Sequence, residues 1–157
     1  MEIQKDYKEL LELFNAHKVE YLVVGGFALA FHGAPRFTGD IDLLVKPDVE
    51  NAKKILAALN DFGFASLNFT EADFLKLENI IQLGYPPFRI DIIMSITGVD
   101  WQTAANGKVA GKYGDVDIFF LGKQEFIVNK KASGRLKDLA DIEAIDKVNN
   151  PKKNKKS

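Results

Sequence analysis

At 157 residues with 46% hydrophobic content, the chain is long enough to bury one core and too short for two ordinary domains. It has no cysteine, which excludes disulfides, thiolate zinc sites and cysteine nucleophiles and points to a reducing compartment. The net charge of −1 conceals Lys152, Lys153, Lys155 and Lys156 near the end; without them it would be −5, which argues against a protein that coats long stretches of DNA. The expectation is one domain over residues 1–150 and a basic, disordered tail over 151–157. The start, Met1 to Asp6, is polar, and no apolar run approaches the ~20 residues of a membrane span, so a soluble, cytoplasmic protein with no membrane partner is expected.

In chain order, Tyr7, Leu10, Leu11 and Phe14 recur at helical spacing and predict an amphipathic helix from Asp6 to His17. Tyr21 to Val24 is a short apolar run of strand formers that stops at Gly25-Gly26, and Phe27 to His32 suits a short helix closed by Gly33 and Pro35. Asp40 to Val45 reads as a strand. Pro47-Asp48 opens a helix to about Phe62, with Gly63 as its stop. Phe64 to Phe69, Ile80 to Leu83 and Phe88 to Met94 read as further strands, and Val99 to Ala104 as a helical turn. Lys108 to Tyr113 and Val116 to Leu121 flank Gly114-Asp115 as a hairpin. Two helices finish the chain, Lys123 to about Lys131 and Leu136 to Val148, the second with Leu139, Ile142 and Ile145 as its buried stripe. Irregular alternation with a late hairpin predicts an α+β (mixed α/β) fold, a mixed sheet with helices on it and helices at the C-terminal end.

The chemistry concentrates in Asp40-Ile41-Asp42-Leu43-Leu44-Val45. A strand sends residues i and i+2 to one face, so Asp40 and Asp42 stand side by side. Paired carboxylates repel and need a cation, a shared proton or open solvent. Mg²⁺ suits such donors and is commonly held by one or two carboxylates plus substrate phosphates. Asp91, embedded in Arg89-Ile90-Asp91-Ile92-Ile93-Met94, is a further acid in an apolar strand, where burial without a partner is costly. If the strands adjoin, three carboxylates converge and suit two metals for in-line phosphoryl transfer; otherwise Asp91 pairs with a cation such as Arg89. Gly25-Gly26 offers backbone N–H groups without a Cβ to block a phosphate, or serves only as a turn. Lys130, Lys131, Arg135 and Lys137 form a cationic cluster suited to a triphosphate, or a solvated helix end in which Lys137 pairs with Asp141. Asp138 and Asp141 orient these cations or cap the last helix. His32 and His17 read as structural, and Trp101, Phe74 and Phe88 as core or base-stacking rings.

Val23-Val24-Gly25-Gly26, then Asp40-Ile41-Asp42-Leu43, then Asp91 on a later strand, resemble the signature of the DNA polymerase β-like nucleotidyltransferase superfamily. Arg36-Phe37-Thr38-Gly39-Asp40-Ile41-Asp42 matches a variant with Arg and Thr ahead of the carboxylates. Asn129 to Asp141 is similar to the C-terminal motif of small bacterial members, relatives of AbiEii-type toxins. The resemblance implies the nucleotidyltransferase fold and transfer of a nucleoside monophosphate from an NTP to a hydroxyl on RNA, protein or a small molecule. It implies Mg²⁺ or Mn²⁺ on Asp40, Asp42 and Asp91, with Asp91 as general base. It places Gly25, Gly26, Arg36, Thr38, Lys130, Arg135 and Lys137 at the nucleotide and suggests an antitoxin partner. Phe27 departs from the family's small polar residue after the second glycine. Two other readings compete: a catalytically silent nucleotide-binding or antitoxin-binding module of the same fold, and a glycosyltransferase using Asp-x-Asp, which has no use for the glycine-to-aspartate spacing.

Overall fold

The computed structural model describes residues 3–34, 39–64 and 67–149. Six strands form one mixed sheet in the order β3-β4-β2-β1-β6-β5, where β1 is Tyr21–Val24, β2 Ile41–Val45, β3 Ile80–Tyr85, β4 Phe88–Ile93, β5 Val109–Tyr113 and β6 Val116–Phe120. The helices are α1 (Lys5–Ala16), α2 (Gly25–Phe31), α3 (Val49–Phe62), α4 (Trp101–Asn106), α5 (Lys123–Ser133) and α6 (Leu136–Asn149). Two pairings are parallel, β1 with β6 and β2 with β4, and the others antiparallel, so the expected mixed sheet is present.

Strand periodicity divides this sheet into two faces with different duties. Tyr21 and Val23 pair with Val45 and Leu43 and face α1, whose Phe14 ring meets Tyr21 edge-on at 5.3 Å. Tyr7, Leu10, Leu11 and Phe14 are all buried, as their spacing predicts, and a fully buried Phe or Leu is worth about 1.5–3 kcal/mol. The opposite face carries Val24, Asp42 and Asp91 in lateral register and is partly roofed by α5.

Local chemistry explains the boundaries. Asp48 caps α3 by accepting from the Asn51 N–H at 2.8 Å, and Gly63 ends that helix at φ +105°. Gly114 turns the β5–β6 hairpin at φ +62°. Three expectations fail. No strand forms in the described part of Phe64 to Phe69: Asn68 is left-handed at φ +56°, and the rings pack locally, Phe64 on Phe62 and Phe69 on Phe74. The turn expected from Val99 starts at Trp101 because Asp100 caps it through the Thr103 N–H. In α6, Ile145 is buried but Leu139 is half exposed, since the helix turns Asp138 and Asp141 inward toward cations of α5. Residues 151–157, expected as the tail, and residues 35–38, with Arg36 and Thr38, lie outside the described residues.

One buried side chain fixes the mutual position of β1, β2 and α3. Asn51 accepts from the Glu20 N–H (2.8 Å) and donates to the Glu20 carbonyl (3.0 Å) and the Lys46 carbonyl (2.9 Å). Asn51→Ala leaves three backbone groups without these partners, and a loss of about 2–4 kcal/mol in unfolding free energy is expected by denaturant titration.

Candidate active site

Parallel pairing of β2 with β4 sets Asp42 beside Asp91 and Ile41 beside Ile90, so Asp40, one step earlier, lies beside Arg89. Neighbouring strands are roughly 4.8 Å apart, and this register therefore brings acids together in pairs. Asp91 is buried, 8% exposed, and its charge acts on the Asp42 carboxyl beside it. Arg89 compensates part of the charge: Nε donates to Asp91 Oδ1 at 2.8 Å, and Nη2 reaches Asp91 Oδ2 at 3.1 Å and Asp40 Oδ2 at 3.0 Å. The two sequence readings of Asp91, a member of an acid cluster and a partner of Arg89, are thus both realised.

A cleft of about 390 Å³ opens beside this patch, with Asp42 as the patch's member in its lining. Its floor includes Val24, Gly25, Asp42 and Ile93, and one wall is Asn129, Lys130, Ser133 and Arg135 from α5 and the turn after it. Gly25 has φ +68°, and a Cβ there would collide with the Asp42 carboxylate, so this position requires glycine twice over. Gly26 is buried at the start of α2. Phe27 points away into the core, edge-on to Tyr7 at 6.1 Å and to Tyr113 at 6.0 Å, so its side chain offers nothing to the cleft. A larger cavity, about 510 Å³, is lined by Trp101, Tyr21 and Phe119 but contains none of Asp40, Asp42 and Asp91. Convergent charge, rather than volume, marks the site.

The cationic wall is held from behind. Lys130 is 9% exposed, with Nζ 3.4 Å from Asp138 and 3.7 Å from Asp141. Asp138, wholly buried, accepts from Arg135 Nε at 2.7 Å and Nη2 at 3.2 Å and from the Arg135 backbone N–H at 3.2 Å, so it orients two cations and caps α6 together. The Arg135 guanidinium, with Lys130 adding to it, holds the Asp138 carboxyl down at about 2. Lys137 is exposed and is not among the residues lining the cleft. His32 Nε2 meets the Leu121 carbonyl at 2.8 Å and His17 meets Asp61 at 2.7 Å, both structural roles.

Sequence reasoning missed Tyr7, whose hydroxyl donates to the Gly39 carbonyl and stands 3.1 Å from the Arg89 carbonyl, tying together the segments that carry Asp40 and Arg89. Its helical spacing signalled only a core residue. It also missed Asn129, Ser133 and Gln82, the last exposed and in register with Asp91 on its other side. No local pattern sets these three apart from surface polar residues.

All potential ligands in the patch are carboxylate oxygens, the donor type of hard divalent cations. Asp42 and Asp91 stand in register with like charges acting on each other, and a divalent ion between them would relieve that repulsion, so the pair fits such an ion. Among the described residues no three acids or histidines stand together in ligating geometry, and Asp40 accepts from Arg89.

The same fold occurs in solved structures of nucleotidyltransferases. One, described as a putative nucleotidyltransferase (TM1012) from Thermotoga maritima, superposes with a TM-score of 0.57 at 16% identity, covering 96% of each chain. Another, the lincosamide antibiotic adenylyltransferase LnuA with lincomycin bound, gives 0.53 at 16% identity, covering 91% of this chain and 96% of that one. No curated protein matches the sequence. Residues 10–118, well over half of the chain, match the family described as nucleotidyl transferase AbiEii toxin, Type IV TA system. The chain belongs to this family and is by class a nucleotidyltransferase, as its glycine-turn and aspartate motifs led one to expect.

Burial first, then the charges of Asp91 and Asp40, push the Asp42 carboxyl up to about 6. Because this exceeds the ordinary 3.8, the folded chain holds the proton more tightly, and the linked stabilisation is complete below pH 3.8 and lost as pH rises through 6. In EDTA at pH 8, Asp42→Asn is therefore expected to exceed wild type in stability by up to about 3 kcal/mol, and to lose this advantage below about pH 4, as read from denaturant melts across pH.

Proposed function

We propose that this nucleotidyltransferase moves a nucleoside monophosphate from an NTP to a hydroxyl on RNA, protein or a small molecule, releasing pyrophosphate, and serves as the cytoplasmic toxin of a toxin–antitoxin pair. The observation that carries this reading is Asp42, in register with Asp91, lining one cleft with Lys130 and Arg135. Acids on one side and fixed cations on the other suit a metal–triphosphate, whose phosphates need both.

In this reading Lys130 and Arg135, already oriented by Asp138 and Asp141, bind the triphosphate oxygens and neutralise charge on the departing pyrophosphate. Gly25, lacking a side chain, lets the phosphates approach the Asp42 carboxylate, and Gly26 adds backbone N–H donors. Asp40, Asp42 and Asp91 would hold Mg²⁺ or Mn²⁺, which when bound polarises the α-phosphoryl group and neutralises developing charge. Asp91 takes the proton of the acceptor hydroxyl. The acceptor oxygen bonds to the α-phosphorus as the bond from that phosphorus to the bridging oxygen of the departing pyrophosphate breaks. Arg36 and Thr38, which precede these acids in the family motif, and Lys137 are assigned to the nucleotide by that resemblance alone. The fold shared with an adenylyltransferase and membership in a toxin family support the transfer and the antitoxin partner.

Labelled NTPs offered to the full chain with Mg²⁺, total RNA and protein should give metal-dependent incorporation. Asp91→Asn is expected to reduce its rate by about 10²–10⁴ while keeping much of the NTP affinity. Asp42→Asn should weaken both. Equal incorporation by wild type and Asp91→Asn would refute the base assignment, and tight NTP binding with no transfer would make the chain a silent nucleotide-binding or antitoxin-binding module.

A further inference from the structure

The acid patch carries its own cation. Asp40 beside Arg89 and Asp42 beside Asp91 form a two-by-two block of three acids and one base, imposed by the β2–β4 register. Arg89 engages both oxygens of Asp91 and one of Asp40, at 2.8, 3.1 and 3.0 Å. Such a fork on a carboxylate is both strong and geometrically specific, and here its side chain is only 26% exposed.

We propose that Arg89 is a resident counter-cation that makes the patch a poor site for a free divalent cation and so ties cation binding to nucleotide binding. The inference rests on the reading of Asp40, Asp42 and Asp91 given above. Three features support it. A positive charge in contact with two of the three acids repels a second cation. Its donors occupy carboxylate lone pairs on Asp91 and Asp40 that a cation would use. The deficit can be made up by phosphate oxygens, and Lys130 and Arg135 stand fixed on the facing wall to hold them. Free metal thus meets a patch already partly neutralised, whereas the metal–nucleotide brings its own ligands.

The test is Mn²⁺ binding to the full chain, by calorimetry and by the electron paramagnetic resonance signal of unbound Mn²⁺, with and without a non-hydrolysable α,β-methylene NTP analogue. Wild type should bind Mn²⁺ at least about tenfold more tightly in the presence of the analogue, and Arg89→Gln should tighten binding without analogue by about tenfold, the scale of one charge removed at close range. Arg89→Lys keeps the charge and should stay close to wild type. Circular dichroism checks that each variant is folded. If Arg89→Gln does not fold, the wild-type and Arg89→Lys measurements still decide: equal Mn²⁺ affinity with and without analogue in wild type, or tight free Mn²⁺ binding by Arg89→Lys, overturns the proposal. So does a folded Arg89→Gln with unchanged or weaker binding of free Mn²⁺. Asp42→Asn and Asp91→Asn separate the two levels. If neither alters Mn²⁺ binding with analogue present, the metal site itself fails; if both do and a folded Arg89→Gln leaves binding of free Mn²⁺ unchanged, only the role of Arg89 fails.

Discussion

Two aspartates stand opposite each other on adjacent parallel strands, and much of the surrounding structure answers the electrostatic problem this creates. The β2–β4 register leaves Asp42 and Asp91 no choice of neighbour. Burial and mutual repulsion raise the cost of ionising Asp42, and two groups relieve it in different ways. Arg89 forks onto Asp91 and reaches Asp40, while the charge of Lys130 acts on Asp42 across the cleft. Gly25 contributes by absence, since any larger residue would occupy the space of the Asp42 carboxylate. A like-charged pair with one member buried, one half-buried and only partial compensation is poor for stability and well suited to a function that supplies a cation.

The cationic wall repeats this logic with the signs reversed. Lys130 is nearly buried, which for an ammonium requires anionic partners, and Asp138 and Asp141 provide them from the next helix. Asp138 also caps that helix through the Arg135 backbone, so one carboxylate sets the start of α6 and the direction of both cations. Cations held in this way are preorganised: they need not reorganise when a phosphate arrives, which is the main electrostatic advantage an enzyme has over water. The acids of α6 therefore belong to the architecture of the site although they face away from the cleft.

The site is also asymmetric about Asp91. On the β1 side lie Asp42, Gly25 and the α5 wall, whereas on the other side β3 is the edge strand and presents Gln82 in register with Asp91. The same sheet order thus gives one carboxylate an acidic neighbour on one side and an amide on the other.

Much of this was legible along the chain. Period-two alternation put Asp40 and Asp42 on one face, Asp91 stood out as an acid in an apolar strand, and the glycine pair, caps and helical stripes located most elements to within a few residues. These features are local: backbone dihedrals and side-chain direction repeat over two to four residues, so sequence alone determines them. The tertiary structure alone decided that β2 and β4 are neighbours, that they are parallel, and that their register pairs acid with acid. A slip of one residue would send Asp91 to the other face. It also decided that Arg89 serves Asp40, 49 positions away, as well as Asp91, and that α6 turns acids rather than Leu139 inward. Those outcomes depend on which distant surfaces meet, and the balance of burial against charge compensation exists only once they have met.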